Sequence, residues 1–358
     1  MSPILAMHMD NILLSVPVAV ATLALGAIVI AAAAWAARRN TDLDRLPLMG
    51  VMGAFVFAAQ MVNFSLPFMP GTSGHLVGAV LLAILLRPAA AILTMAAILI
   101  VQCLLFQDGG LLALGCNIIN MGVVPCLAGW GVYRLILGRR SAPPAWRQYL
   151  AAWAACLLGV TAGATLVPLE AGLSGVLKIS PWDFLAVMTG VHLIIGFIEG
   201  AITFAVLGYL RKVRPEMLGI PAPSTGAEAP GGGARPGMAA VIVTILVTAG
   251  LLAGVVSWFA SAHPDGLEWA IGEHKYAGVE RAVENPSPVV AAVDEGHAKL
   301  VPMKDYNKPE GDGGGPKISG WASLAGLIGT AVVLVLLYGT AVLLRRRRKT
   351  HEAHPGCP

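Results

Sequence analysis

The sequence predicts an all-α protein: a polytopic membrane helical bundle of about seven spans, followed by a two-span C-terminal unit with a small extracytoplasmic domain. Hydrophobic residues make up 56% of the 358 residues and charged residues only 12%, whereas soluble domains contain about 25% charged residues. The mean hydropathy is +0.74. The basic residues cluster beside the apolar segments, which is typical of membrane proteins and not of nucleic-acid-binding surfaces.

Nine apolar segments are the predicted spans, since a helix needs about 17–25 apolar residues to cross a bilayer. The first lacks the basic start of a signal peptide and is too long for one, so it is interpreted as a transmembrane helix. The third is short and ends at Arg87-Pro88, so it is expected to be a half-depth helix packed against the fourth. The segments cover residues 12–37, 48–65, 75–86, 88–106, 111–137, 149–169, 183–210, 239–260 and 320–344.

The basic clusters predict the orientation of these spans. If the N-terminus lies outside, nine crossings place every cluster and the C-terminus in the cytoplasm, as the positive-inside rule requires. The outer face then carries the N-terminal stretch, the loop at 63–75, the turn at 107–110, the connection at 170–182 and the segment 261–319. The clusters are Arg38-Arg39, Arg87, Arg139-Arg140, Arg211-Lys212 with Arg214, and residues 345–349.

Composition divides the chain into four predicted regions. Residues 1–218 form the seven-span domain, and residues 219–238, rich in Pro, Gly and Ala, form a flexible cytoplasmic linker. Residues 239–349 form the two-helix unit, and residues 350–358 a tail. Within the outer part of the two-helix unit, residues 307–315 are expected to be a loose tether.

Two histidines, His8 and His75, are far apart in sequence but share the predicted outer face. Neutral imidazole is the commonest side-chain ligand for borderline cations such as Ni²⁺, Co²⁺ and Zn²⁺. Their positions therefore suggest a shared metal site. The alternative is two solvated or hydrogen-bonded histidines with no common ion.

Polar residues inside the spans are the next candidates. His192 and Glu199 lie seven residues apart on one helix face, and ionisable groups within spans usually face the protein interior or a water pathway. They are interpreted either as a hydrogen-bonded pair that locks helix packing or as a relay or gate. Asn117 and Asn120 share one face of the fifth helix, where their amides can brace a buried loop or support the ligands of an ion.

Two catalytic motifs are absent from the sequence, which reduces the number of possible functions. The chain has no G-x-x-x-x-G-K-[ST] sequence, so it does not itself hydrolyse ATP on a P-loop, and no H-E-x-x-H sequence of a zinc protease. These absences argue against a P-loop ATPase and a zinc protease, and the protein is expected not to be an enzyme. Three alternatives stay open: a secondary metal-ion carrier that works alone, an intramembrane enzyme using His192 and Glu199 as acid and base, and a structural assembly protein.

Several segments together resemble the CbiM/NikM family, the substrate-capture subunits of energy-coupling-factor transporters for cobalt and nickel. Residues 264–269 (PDGLEW) resemble the start of a PDGLE domain, similar to the separate NikN- or CbiN-type partner, here fused behind the linker. The segments that resemble the capture subunit are Met7-His8-Met9, residues 47–60 (PLMGVMGAFVFAAQ), residues 72–75 (TSGH), residues 107–117 (QDGGLLALGCN) and residues 192–200 (HLIIGFIEG).

The resemblance implies a multi-pass protein of the prokaryotic inner membrane that captures Co²⁺ or Ni²⁺ at the outer face for ATP-driven uptake. The ions would supply cobalamin synthesis or nickel enzymes. The implied partners are membrane lipid, ATPase subunits and a transmembrane coupling subunit, without nucleic acid. No permanently bound cofactor is expected, because the metal is the transported substrate.

The resemblance also implies a ligand set. The family holds its metal in a nearly planar nitrogen site, which corresponds here to the amine of Met7, the amide and imidazole of His8, and the imidazole of His75. Six residues precede Met7 in this sequence, and an internal Met7 has no free amine. The functional chain is therefore expected to begin at Met7, and the seven-span domain is expected to hold every ligand.

Overall fold

The computed structural model describes residues 8–40, 46–138, 143–218, 220, 237–261, 263–272, 282–307 and 319–353, without the side chains of residues 40, 46–47 and 346–353. The regular secondary structure within these residues is helical, apart from one hairpin of two two-residue strands and one isolated β-bridge. The predicted all-α polytopic class is confirmed. The predicted linker lies almost wholly outside the described residues, as do the tether beyond Asn307 and Met7.

The helices follow the apolar segments of the sequence. A π-helical turn, Gln102–Phe106, extends α4, and a second, Ile118–Val123, joins α5 to α6. The helices are α1 (Val16–Asn40), α2 (Leu46–Gln60), α3 (Ala79–Leu86), α4 (Pro88–Val101), α5 (Leu114–Asn117), α6 (Val124–Leu137), α7 (Ala145–Ala164), α8 (Leu166–Ser174), α9 (Pro181–Val213), α10 (Met238–Gly254), α11 (Gly266–Ala270), α12 (Pro288–Leu300) and α13 (Gly320–Ala353).

Six helices in the described part of the chain are long and apolar enough to cross a membrane. They correspond to the first, fourth, fifth, sixth, seventh and ninth predicted spans, whereas α2 and α10 are shorter apolar helices. The third segment forms only the eight-residue α3, whose side chains are all buried, and it packs against α4. The prediction of a short third helix against the fourth is confirmed.

The predicted ends of two helical segments were wrong. The second span was predicted to continue to residue 65, but α2 ends at Gln60, and β1 (Phe64–Ser65) pairs antiparallel with β2 (Ser73–Gly74). Prolines 67 and 70 lie between these strands and cannot supply the N–H groups of a continuing helix. The predicted outer connection at 170–182 begins as helix, because α8 extends α7 almost without interruption to Ser174.

The C-terminal unit packs against the first domain. Helices α10 and α13 lie on α2, and Val333 and Leu337 of α13 are fully buried. The outer segment between them is also docked: Leu177 and Val283 form an antiparallel bridge, and Glu284 donates its N–H to the carbonyl of Val176 at 2.9 Å. The segment that was predicted to form an extracytoplasmic domain therefore packs against the seven-span domain.

Candidate metal centre

The structure brings His8 and His75 together. Their ring centroids lie 5.5 Å apart, and the two residues are only 2% and 8% exposed. The topology predicted that both residues occupy one face. The burial of both imidazoles excludes solvated histidines, whereas the alternative of two hydrogen-bonded histidines with no common ion stays open.

The position of His8 is set by its neighbour Met9. The side chain of Asn117 accepts the Met9 N–H at 2.9 Å and donates to the Met9 carbonyl at 3.0 Å. Gly110 donates its N–H to the same carbonyl at 3.1 Å. Asn117 therefore braces the chain beside His8, which is one of the two roles predicted for it.

The turn at residues 107–110 supplies a partner for His8. The carboxylate Oδ1 of Asp108 lies 2.6 Å from Nδ1 of His8, with both side chains buried. The next residue, Gly109, has φ of +92°, and a Cβ there would lie 3.0 Å from the Cβ of His8. Glycine at this position satisfies both the positive φ and the close approach. No pattern in the sequence predicts a role for Asp108, although it lies in a segment that resembles the capture family.

The electrostatics of the site favour an ionised Asp108. Burial acts to raise the pKa of this carboxyl, but the charge of His8, when its imidazole is protonated, and hydrogen bonds from His8 and Tyr306 outweigh burial and lower it. A carboxylate in this position is a hydrogen-bond acceptor only. It therefore holds a proton on Nδ1 of His8.

The other ring nitrogen of His8 is the available donor to a cation. Nε2 is buried and has no hydrogen-bond partner among the described residues, and His8 lines the cavity described below. A chelate that includes the backbone amide of His8 would close through Nδ1 instead. The ligand set implied by the resemblance therefore requires the imidazole to leave Asp108, whereas binding through Nε2 does not.

The segment carrying His75 is held by a carboxylate from α9. Glu199 is buried and accepts the N–H groups of Val77 at 2.8 Å and Gly78 at 3.1 Å. Nδ1 of His75 lies 3.0 Å from the carbonyl oxygen of Leu76. When Nδ1 donates this hydrogen bond, Nε2 carries the lone pair that a metal requires.

His192 and Glu199 do not form the mutual pair that was one predicted interpretation. Nδ1 of His192 lies 2.9 Å from the carbonyl oxygen of Met188, one turn earlier in α9, while Glu199 contacts the backbone before α3. His192 instead lines the cavity with His8 and His75. Asn120 donates to Glu170 on α8 at 2.6 Å, so it braces a neighbouring helix.

The C-terminal unit contributes to the same site. Ser73 donates its N–H to the carbonyl of Pro264 and its hydroxyl to the carbonyl of His263, each at 2.8 Å. Gly266 then lies so close to α9 that a Cβ would be 2.5 Å from Val191. Asp265 is buried here and caps the N-terminus of α11. Burial raises the pKa of its carboxyl, although a hydrogen bond from the Glu268 N–H acts to lower it.

These segments line a partly open cavity of about 60 Å³. No group of three or more His, Cys, Asp or Glu side chains in the described residues is arranged to hold one ion. A coordination shell that includes both imidazoles would therefore need at least one donor other than a His, Cys, Asp or Glu side chain. The polar lining residues are His8, His75, His192, Asn117, Asn120 and Asp265, and three thioethers, Met9, Met121 and Met188, also line the cavity.

Comparison with known proteins gives matches to both regions of the chain. The CbiM family model, described as the cobalt uptake substrate-specific transmembrane region, matches residues 8–217, and a PDGLE domain model matches residues 239–346. A protein of Haloquadratum walsbyi named as a metal transport protein is 39% identical over 182 residues, which cover 51% of this chain and 79% of that protein. The fused nickel transport protein NikMN of Rhodobacter capsulatus is 30% identical over 286 residues, covering 75% and 79%.

The chain is also similar to solved structures. A crystal structure of a transition metal transporter matches with 31% sequence identity and a TM-score of 0.49. The match covers 57% of this chain and 93% of that chain.

Proposed function

Because the chain belongs to the CbiM family and carries a PDGLE domain behind its membrane region, we propose that it captures Co²⁺ or Ni²⁺ as the substrate-specific component of an energy-coupling-factor transporter. The chain is a multi-pass membrane transport protein and not an enzyme. The observation that carries the proposed capture site is the convergence of two buried imidazoles, His8 and His75, on one small cavity.

The donor chemistry of the cavity suits these ions. Imidazole nitrogen is a good ligand for Co²⁺ and Ni²⁺, and nitrogen donors in a plane favour Ni²⁺-like ions over Zn²⁺, which prefers a tetrahedron. We propose His8 and His75 as ligands, with the amine of Met7 as a third donor from outside the described residues. Asn117, Asn120, His192 and Glu199 support the site and do not bind the ion.

The proposed orientation places the N-terminus and the cavity at the outer face and the C-terminus in the cytoplasm of a prokaryotic cell. This orientation is supported by the basic clusters, all of which then face the cytoplasm. Since the chain has no P-loop, the energy for uptake would come from separate ATPase subunits through a transmembrane coupling subunit. The imported metal would serve cobalamin synthesis or nickel enzymes.

Metal uptake is expected to require the partner subunits. Cells producing this chain with the ATPase pair and the coupling subunit should accumulate Co²⁺ or Ni²⁺, measured by elemental analysis. Cells with this chain alone should not, and neither should cells whose ATPase carries a substituted P-loop lysine. Accumulation of equal size without the partners would identify a secondary carrier instead.

The amine of Met7 is expected to strengthen metal binding. A protein whose first residue is Met7 offers a primary amine next to His8, whereas the full sequence offers only a peptide nitrogen, which binds metal after a costly deprotonation. The shortened protein should therefore bind Co²⁺ and Ni²⁺ more tightly in a calorimetric titration. The matched control adds one glycine before Met7, which moves the amine away by one residue. Equal affinity of all three proteins would exclude the Met7 amine as a ligand.

A further inference from the structure

We propose that Asp265, a residue of the C-terminal unit, supplies a negative charge that stabilises the captured divalent cation without binding it directly. This inference rests on the proposed function, because it concerns an ion held by His8 and His75. It gives the outer segment of the C-terminal unit an electrostatic part in capture, although the proposed ligands belong to the first domain.

Asp265 is held at the cavity by contacts of both of its neighbours in the chain. The carbonyl of Pro264 accepts the N–H of Ser73 at 2.8 Å. On the other side, Gly266 packs so closely on α9 that a Cβ would lie 3.4 Å from Cε1 of His192. Asp265 itself is only 4% exposed and lines the cavity that also contains the proposed ligands.

One oxygen of this carboxylate is committed to the backbone. Oδ1 accepts the N–H of Leu267 at 2.9 Å and that of Glu268 at 2.8 Å, and these bonds cap α11. Oδ2 accepts no hydrogen bond from the described residues, and none of the ion pairs among them includes Asp265. Because buried charges in proteins are normally paired or bound to a metal, this carboxylate needs a counter-charge.

The charge of Asp265 is kept at neutral pH at a cost to the fold. Burial raises the pKa of its carboxyl from 3.8 to about 6, and the negative charge of Asp108 acts in the same direction, against the hydrogen bonds from the Leu267 and Glu268 N–H groups. The carboxyl is therefore mostly ionised at pH 7. Since its pKa is higher in the folded than in the unfolded protein, this group lowers the free energy of unfolding as the pH rises from 3.8 to about 6.

A captured dication would supply the counter-charge. Imidazole and amine nitrogens are neutral donors, and a deprotonated amide cancels only one of the two charges of Co²⁺ or Ni²⁺. A protonated His8 also acts on Asp265, but a histidine must be neutral to bind a metal, so the ion replaces that charge. Asp265, His8 and His75 are not a common set of ligands, because no three such side chains in the described residues are arranged to hold one ion. The role of Asp265 is the same whichever ring nitrogen of His8 binds.

The variant Asp265→Asn removes the charge and keeps the helix cap, since asparagine caps a helix as well as aspartate does. Replacing a group that surrounds a metal site without binding the ion typically costs about 10–100-fold in affinity. Asp265→Asn should therefore raise the Kd for Co²⁺ and Ni²⁺ by about tenfold or more in a calorimetric titration, while the metal-free protein melts at the same or a higher temperature. The visible absorption bands of bound Co²⁺ should keep their positions. Asp183→Asn, the same change at an exposed position in the first turn of α9, should change none of these quantities.

A second variant, Asp265→Ala, separates the charge from the cap. It removes both, so its Kd should rise at least as much as that of Asp265→Asn, and its melting temperature should be the lower of the two. An unchanged Kd in Asp265→Asn would mean that Asp265 only caps α11, which would overturn the proposal. Shifted Co²⁺ absorption bands would overturn it as well, because Asp265 would then bind the ion directly. Normal binding by folded His8→Ala and His75→Ala proteins would instead refute the capture site itself, whereas loss of binding there with an unchanged Asp265→Asn protein would refute only this inference.

Discussion

Replacing either His8 or His75 by alanine is expected to lower the affinity for Co²⁺ and Ni²⁺ by about a hundredfold or more. Metal sites with four protein ligands bind with about 10–16 kcal/mol, so each ligand accounts for about 3 kcal/mol, which corresponds to about two decades in Kd. His8 and His75 lie in non-helical segments before α1 and α3, so the helical fold should be retained.

Calorimetric titration of the purified proteins in detergent measures this effect, with thermal unfolding as the check on folding. The matched control is His263→Ala. His263 lies on the same outer segment as Asp265, but its side chain is exposed and only its carbonyl contacts Ser73. Its substitution should leave the Kd unchanged. A folded His8→Ala or His75→Ala protein that binds both ions normally would show that the metal site lies elsewhere.

Replacing Glu199 by alanine is expected to reduce both stability and metal affinity. The carboxylate of Glu199 accepts the N–H groups of Val77 and Gly78 in a buried position. A buried donor left without a partner costs about 1–3 kcal/mol, so the two N–H groups together should cost about 2–6 kcal/mol of unfolding free energy. His75 lies only two residues before Val77, so metal affinity should fall as this segment loosens.

Two further variants serve as controls for this prediction. Glu199→Gln keeps one acceptor oxygen and should fall between the wild type and Glu199→Ala in melting temperature. Glu216→Ala removes a half-exposed carboxylate that pairs with Arg214 just beyond α9, and it should change the melting temperature little. If Glu199 were instead a relay, Glu199→Gln would match the wild type in stability and metal binding and lose only transport.

The sequence predicted the helical class well because apolar segments of spanning length are a strong local signal. It also predicted that His8 and His75 share a face, since the topology followed from the basic clusters. The end of α2 was misplaced because residues 61–66 are as apolar as the helix before them. Hydropathy alone does not separate a helix from the hairpin that follows it.

The contacts that complete the site left no local signal in the sequence. Asp108 and Tyr306 are separated by 198 positions, and nothing near either residue indicates the other. One predicted interpretation paired Glu199 with His192 on the same helix, but a buried carboxylate accepts hydrogen bonds from the donors that tertiary packing brings to it. In this structure those donors are two backbone N–H groups before α3, which a pattern of side chains does not reveal.

The joining of both regions in one polypeptide has a consequence for how strong their contacts must be. Pro264 and Tyr306 belong to the same chain as Ser73 and Asp108, so their association is intramolecular. A tethered partner is present at an effective concentration in the millimolar range, so contacts with a dissociation constant near a millimolar already keep it docked about half of the time. A separately translated partner would need far tighter contacts and balanced expression to reach the same occupancy. In this chain, every copy of the first domain is made with its own copy of the unit that docks on it.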